Sequence, residues 1–219
     1  MNIAAIGSPQ QLEELNSIFS LASCQFTALE NTKNISTTTF DIIFDLNFDN
    51  HPESINDYLG IQASTILCLS AVKIQLHQAI PKALQAQVIG INALPGFLSR
   101  PLLEVCTINK DIDTNLLKSL GWQSIQLVES RIGMVSARII CMIINEAYFT
   151  LQEGTANRAD IDKGMKLGTA YPYGPFEWCD KIGITNVYEI LHAMAADTHD
   201  ERYKICSLLK TEYLTATSN

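Results

Sequence analysis

Through the first 128 residues, short runs rich in β-branched and other apolar residues alternate with helical stretches. The runs are NIAAIG, CQFTAL, DIIFDL, STILCLS, AQVIGINA and QSIQLV. Between them QQLEELNSIF, ESINDYLGI, AVKIQLHQAI and NKDIDTNLLKSLG place apolar residues three and four apart, the period of an amphipathic helix. Parallel strands need long crossover connections, and helices of this length supply them. The alternation therefore predicts an α/β architecture, with a doubly wound, mostly parallel sheet over residues 1–128.

Residues 129–219 have a different pattern: strand-like runs vanish, and glycines and prolines punctuate a series of helices. Gly154 closes the long segment GMVSARIICMIINEAYFTLQE; ANRADIDKGMKLG starts after an Asn157 cap and ends at Gly168. Pro175 suits the first turn of PFEWCDKIG, and Thr185 can cap NVYEILHAMA. This half is expected to be an all-α domain. Its first helix is apolar on more than one face, which fits either a homodimer surface or a central helix wrapped by its own neighbours.

Several function classes are excluded by charge and composition. With a formal charge of -8 and no Lys/Arg cluster, the chain lacks the basic face that nucleic-acid binding needs. Arg138, Asn145 and Glu146 interrupt the most apolar helix, which reads as a buried helix and gives no membrane span. The six cysteines are scattered, without C-x-x-C pairs or zinc-type histidine spacing, and read as reduced core residues. The start MNIAAIGSPQ lacks the pattern of a signal peptide, so a cytoplasmic location is expected.

The stretch AAIGSPQQLEEL has the strand–glycine–helix form of a dinucleotide-binding turn, G-x-G-x-x-G, at Gly7, Pro9 and Leu12. Only Gly7 keeps the pattern. Pro9 removes an N–H donor and puts a ring where a phosphate would approach; Leu12 adds bulk at the helix–strand packing position. Ser8 as N-cap, Pro9 at the first helical position and Gln11 as the capping-box partner would instead let the helix satisfy its own N–H groups. Glu30, 23 residues after Gly7, stands where an acidic side chain would meet a ribose hydroxyl.

NEAYFTLQEGTANRADIDKGMKLGTAYPYGPFEWCDKIGITNVYEIL resembles the C-terminal domain of the 3-hydroxyacyl-CoA dehydrogenases, with its N-E-A, D-I-D-x-x-M-x-x-G and Y-P-x-G-P-F-E elements; the resemblance covers Gly133 to about Leu209. Earlier, DIIFDLNFD, with acidic Asp45 and Asp49, GINALPGFLSRPLLEV and RIGMVSARII resemble segments of the family's NAD-binding domain. The resemblance implies a Rossmann-like sheet followed by an all-α dimerisation domain, an NAD cofactor and an acyl-CoA substrate.

It also implies where the chemistry should lie. The family's catalytic His is held by a Glu twelve residues later; here Glu104 keeps the carboxylate place and Asn92 replaces the His. An amide cannot serve as that base, which forfeits about 10²–10⁴-fold of acid–base help. Glu104 is then either a site carboxylate bonded to Asn92 or a residue at a strand edge. The family's substrate-positioning Asn falls on Ala137, beside Arg138, in the substrate cleft. Ser70 matches the family's Ser or caps the following helix. His51, His77, His192 and His199 belong to no family motif.

Only NTKNISTTTF separates Glu30 from Asp41, too little for the family's CoA-holding helical segment, and the chain stops short of the family's glycine-rich tail. The expectation is a shortened homologue, with no cofactor bound and NAD suggested by resemblance alone. It would act by binding an acyl-thioester-like ligand or a partner. The alternatives are an NAD-dependent oxidoreductase using Ser70 and Glu104, or an interaction protein with a filled cleft.

Overall fold

The computed structural model describes residues 1–19, 24–33 and 35–218. The chain divides into two compact units, Met1–Met134 and Val135–Asn219. The division falls beyond residue 128 because the intervening segment is anchored on the sheet: Gly133 N–H donates to the Val72 carbonyl and Met134 lies in a core cluster of the first unit.

The first unit is built on seven strands: β1 (Asn2–Ile6), β2 (Gln25–Ala28), β3 (Ile42–Asp45), β4 (Ile66–Ser70), β5 (Val88–Ile91), β6 (Leu102–Thr107) and β7 (Ser124–Leu127). Their order is β2-β1-β3-β4-β5-β6-β7, and every neighbouring pair is parallel except β5–β6. From β1 the chain winds to one side through β2 and to the other through β3. Such a reversal leaves a crevice outside the carboxyl ends of the strands.

Alternate residues of a strand face opposite sides, and β1 shows this directly. Ile3 and Ala5 pack in one core with Leu15 and Phe19 of helix α1 (Pro9–Phe19) and with Trp122, whereas Ala4 and Ile6 pack in the other with Phe48, Tyr58 and Leu76. The central strands β3 and β5 are buried throughout, as strands covered on both faces must be.

Three expected helices are shorter or tighter than α-helices. Pro52–Tyr58 and Thr114–Leu120 are 3-10 helices, whose eclipsed i and i+3 positions bury Ile55 with Tyr58 and Leu117 with Leu120. A spacing of three serves either helix type, so the pattern does not separate them. Over residues 71–80 only the turn α2 (Leu76–Ala79) forms, because Val72 and Lys73 give their N–H groups to the Asp49 carboxylate. Strand β6 lies outside the six apolar runs; LLEVCT carries Glu104 at its centre and comes directly after Pro101.

The second unit is helical, with α3 (Ser136–Gln152), α4 (Arg158–Thr169), α5 (Pro175–Ile182), α6 (Ile184–Thr198) and α7 (Ser207–Thr217). Asn157 caps α4 as expected, but that helix runs through Gly168 and ends on left-handed Ala170. Thr185 caps nothing, since α6 starts directly after Gly183 and takes Thr185 into its first turn. Asn145, buried in α3, accepts from Cys206 N–H and donates to the Lys204 carbonyl, which fixes the start of α7. All six cysteines are free, five of them buried, and burial pushes the Cys106 thiol up to about 12. Among the described residues, no helix is long and apolar enough to cross a membrane.

The connection from α4 to α5 explains much of the motif there. Asp162 accepts N–H bonds from Phe176 and Glu177, while Glu177 reaches back to Gly174 N–H at 2.9 Å and to Lys166 Nζ. A Cβ at Gly174 would stand 2.4 Å from Asp162 Cβ, so only glycine lets this carboxylate cap the helix. Gly174→Ala should lower stability by about 1–3 kcal/mol. Thermal unfolding followed by circular dichroism checks this, and an unchanged melting temperature would contradict the packing argument.

Candidate ligand crevice at the carboxyl ends of the strands

The antiparallel register of β5 and β6 sets Ile91 against Val105, which puts Asn92 opposite Glu104 one step further on. Asn92 Nδ2 donates to Glu104 Oε2 at 3.2 Å, Asn92 N–H donates to the Glu104 carbonyl at 3.1 Å, and Asn92 Oδ1 accepts from Leu94 N–H. Asn92 is 2% exposed and Glu104 6%. Of the two readings for Glu104, the structure shows the buried carboxylate bonded to Asn92. The pair is polar and enclosed, but an amide donating to a carboxylate has no free lone pair of the basicity needed to take a hydroxyl proton.

Helix α1 begins at the adjoining edge, and its capping box forms as expected. Ser8 N–H donates to Gln11 Oε1 at 3.0 Å, and Gln11 N–H donates to Ser8 Oγ. The other end of the Gln11 carboxamide goes much further. Its Nε2 donates to the Ala93 carbonyl at 2.7 Å and the Leu46 carbonyl at 3.3 Å, joining the segments that come after β5 and β3. One turn on, Glu14 accepts from Gly96 N–H at 2.7 Å and Ser99 N–H at 3.3 Å. Neither set of bonds is visible in the sequence: both reach backbone groups more than thirty residues away, and capping-box spacing is the only signal.

Gly7 follows β1 and packs against Leu46, which follows β3. A Cβ there would come 2.9 Å from Leu46 Cδ1. A side chain here would press on Leu46, so packing within the domain by itself favours glycine.

Ser70 does not cap the following helix. Its hydroxyl donates to Asp49 Oδ2 at 2.5 Å, and the same carboxylate accepts from Val72 and Lys73 N–H. The first N–H of α2, on Leu76, is instead bonded by Ser130 Oγ. Asp49 serves as the clamp of the turn after β4, and burial raises its carboxyl above the ordinary range against the lowering effect of those bonds.

Glu30 and Asp45 do come together, around a cavity of about 430 Å³ at the ends of β1 and β3 that Ile6, Thr32, His51, Glu53, Ser54 and Asp57 also line. Glu30 is exposed at its rim. Asp45 is buried and already engaged: Oδ2 accepts from Tyr58 OH at 2.9 Å and Ser54 Oγ at 3.1 Å, and Oδ1 accepts from Asn47 N–H. Burial raises its carboxyl, and the hydrogen bonds from Tyr58 and Ser54 offset this only in part. The lining holds four carboxylates and no Lys or Arg.

Ala137 and Arg138 lie in the second unit. Ala137 is fully buried, and Arg138 donates to Tyr203 OH at 2.5 Å. Among the described residues no cluster could hold a metal ion. The residues at the start of α1 do not fit a dinucleotide pyrophosphate either, because Pro9 has no N–H and the Ser8 and Gln11 N–H groups bond to each other's side chains.

Residues 133–216 match the family model described as 3-hydroxyacyl-CoA dehydrogenase, C-terminal domain. The chain is 33% identical over 141 residues to 3-hydroxyadipyl-CoA dehydrogenase of Escherichia coli, covering 63% of this chain and 29% of that one. Over 118 residues it is 33% identical to a 3-hydroxybutyryl-CoA dehydrogenase of Bradyrhizobium diazoefficiens, covering 50% and 40%. The matches thus span less than half the length of either relative. In fold it is similar to the crystal structure of (S)-3-hydroxybutyryl-CoA dehydrogenase from Ralstonia eutropha, with TM-score 0.73 and 20% identity over 99% of this chain and 94% of that one.

The folded protein holds the Asp45 carboxyl above its unfolded value, so over that interval it binds more protons than the unfolded chain and loses stability as pH rises. Asp45→Asn removes this group and keeps an acceptor for Asn47 N–H. Urea denaturation should show the variant gaining stability relative to wild type as pH is raised from about 3 to about 7. A difference that is the same at every pH would mean that burial does not govern this carboxyl.

Proposed function

The chain belongs to the 3-hydroxyacyl-CoA dehydrogenase family, and on that premise we propose that it binds an acyl-thioester-like ligand or a protein partner without carrying out standard NAD-dependent dehydrogenation. The observation that carries this reading is the buried Asn92–Glu104 pair, where the family's pattern has a histidine and its carboxylate. Dehydrogenation removes a hydroxyl proton as hydride leaves, and Asn92 offers no base for that proton. Ala137 offers no polar group at the family's substrate-positioning place. The self-association expected of the helical unit draws support from Ile139 and Leu167, both apolar and exposed. A cytoplasmic homodimer is the assembly this reading assigns.

The relatives favour a second reading, since the proteins of Escherichia coli and Bradyrhizobium diazoefficiens both carry the names of dehydrogenases. In it the protein is an NAD-dependent oxidoreductase acting on a 3-hydroxyacyl thioester, with Glu104 as the polar group nearest the chemistry. Turnover separates the two. With NADH and acetoacetyl-CoA, absorbance at the nicotinamide band should stay constant for the wild-type protein. Steady oxidation that falls at least tenfold in Glu104→Gln would establish the second reading and overturn the first.

A variant probes the same place from the other side. Asn92→His restores an imidazole beside Glu104, and a carboxylate partner raises the pKa of an imidazole. The new ring should titrate above the value of a free histidine, as read by ¹H–¹³C spectra of the ring. A ring that titrates at or below the free value would show that burial outweighs the Glu104 charge.

A further inference from the structure

The cofactor implied by the resemblance and the side chains at the start of α1 disagree, and one residue carries most of the disagreement. We propose that Gln11 is the specificity-determining residue of the crevice: its carboxamide closes the path a dinucleotide would take, so restoring glycines at positions 9 and 12 would not by itself admit one. This rests on the reading that NAD-dependent chemistry is absent, and goes beyond it by naming the residue responsible.

A helix N-terminus binds an anion when its first N–H groups point at open space that the anion can enter. Here Gln11 Oε1 takes the Ser8 N–H, Ser8 Oγ takes the Gln11 N–H, and Pro9 has none. The same side chain then joins two segments at the carboxyl edge of the sheet, its Nε2 donating both to the Leu46 carbonyl after β3 and to the Ala93 carbonyl after β5. Nucleotide ligands of open parallel sheets lie along that edge. Glu14 draws the loop beyond Asn92 against the same helix through Gly96 and Ser99. Admitting a pyrophosphate would require breaking both Gln11 bonds and leaving two enclosed carbonyls without this donor. The four carboxylates around the neighbouring cavity add a repulsive field that no Lys or Arg among its lining residues offsets.

Restoring the glycine pattern should therefore fail while Gln11 remains. Calorimetric titration with NAD and with ADP-ribose is applied to the wild-type protein, to Pro9→Gly/Leu12→Gly, and to the triple variant that adds Gln11→Ala. The expected result is no measurable binding by the first two and at least tenfold tighter binding by the triple variant. The inference is overturned if the double variant binds as tightly as the triple, if the folded triple variant does not bind, or if the wild-type protein binds NAD. Should the triple variant not fold, the Gln11 side-chain amide resonances of the wild-type protein decide: unchanged positions at millimolar NAD support the inference, and displaced ones overturn it. Failure of the parent reading appears separately, as wild-type turnover of acetoacetyl-CoA.

Discussion

A carboxamide enclosed at a sheet edge has to find partners for its donor and acceptor inside the protein, and Gln11 does so by joining three segments of the chain. Its acceptor closes the first turn of α1 on Ser8, and its donor holds the backbone beyond β3 and beyond β5. The loop carrying Asn92 inherits its position from this contact and from Glu14 one turn later. The Asn92–Glu104 pair is thus placed from two directions. Register across β5 and β6 fixes which residues face each other, and helix α1 fixes the chain that leaves them.

The distribution of charge obeys the same logic. Asp45 and Asp49 of the first unit are surrounded by donors from their own neighbourhood. Asp45 binds the 3-10 helix through Ser54 and Tyr58, and Asp49 binds the turn after β4 through Ser70, Val72 and Lys73. Buried anions are costly unless they are hydrogen-bonded, and these are used to hold loops at the carboxyl edge.

How much of this is legible in the sequence depends on the range of each interaction. The parallel sheet, the helical second unit, the Asn157 cap, Pro175 in the first turn of α5 and the Ser8–Gln11 box all rest on neighbours within a few residues, and all are readable. The Asn92–Glu104 contact is legible only through the family resemblance, as one of two readings of Glu104, because the antiparallel return that brings the two together is made by β6. Strand β6 is disguised by its central Glu, and the 3-10 helices are hidden because a spacing of three suits an α-helix equally well. The Gln11 bridge, the Ser70–Asp49 clamp and the Arg138–Tyr203 bond join distant segments, and no local pattern encodes such partners.

Gly7 is a residue of a ligand motif that also has a steric duty. The volume beside its Cα is occupied by the Leu46 side chain, so a larger residue at position 7 would require that side chain to shift. Mutational drift could erase the whole of a binding site around it and leave this one residue standing. A lone glycine at the start of such a helix then also records how closely two segments of the chain approach, independently of anything the protein binds.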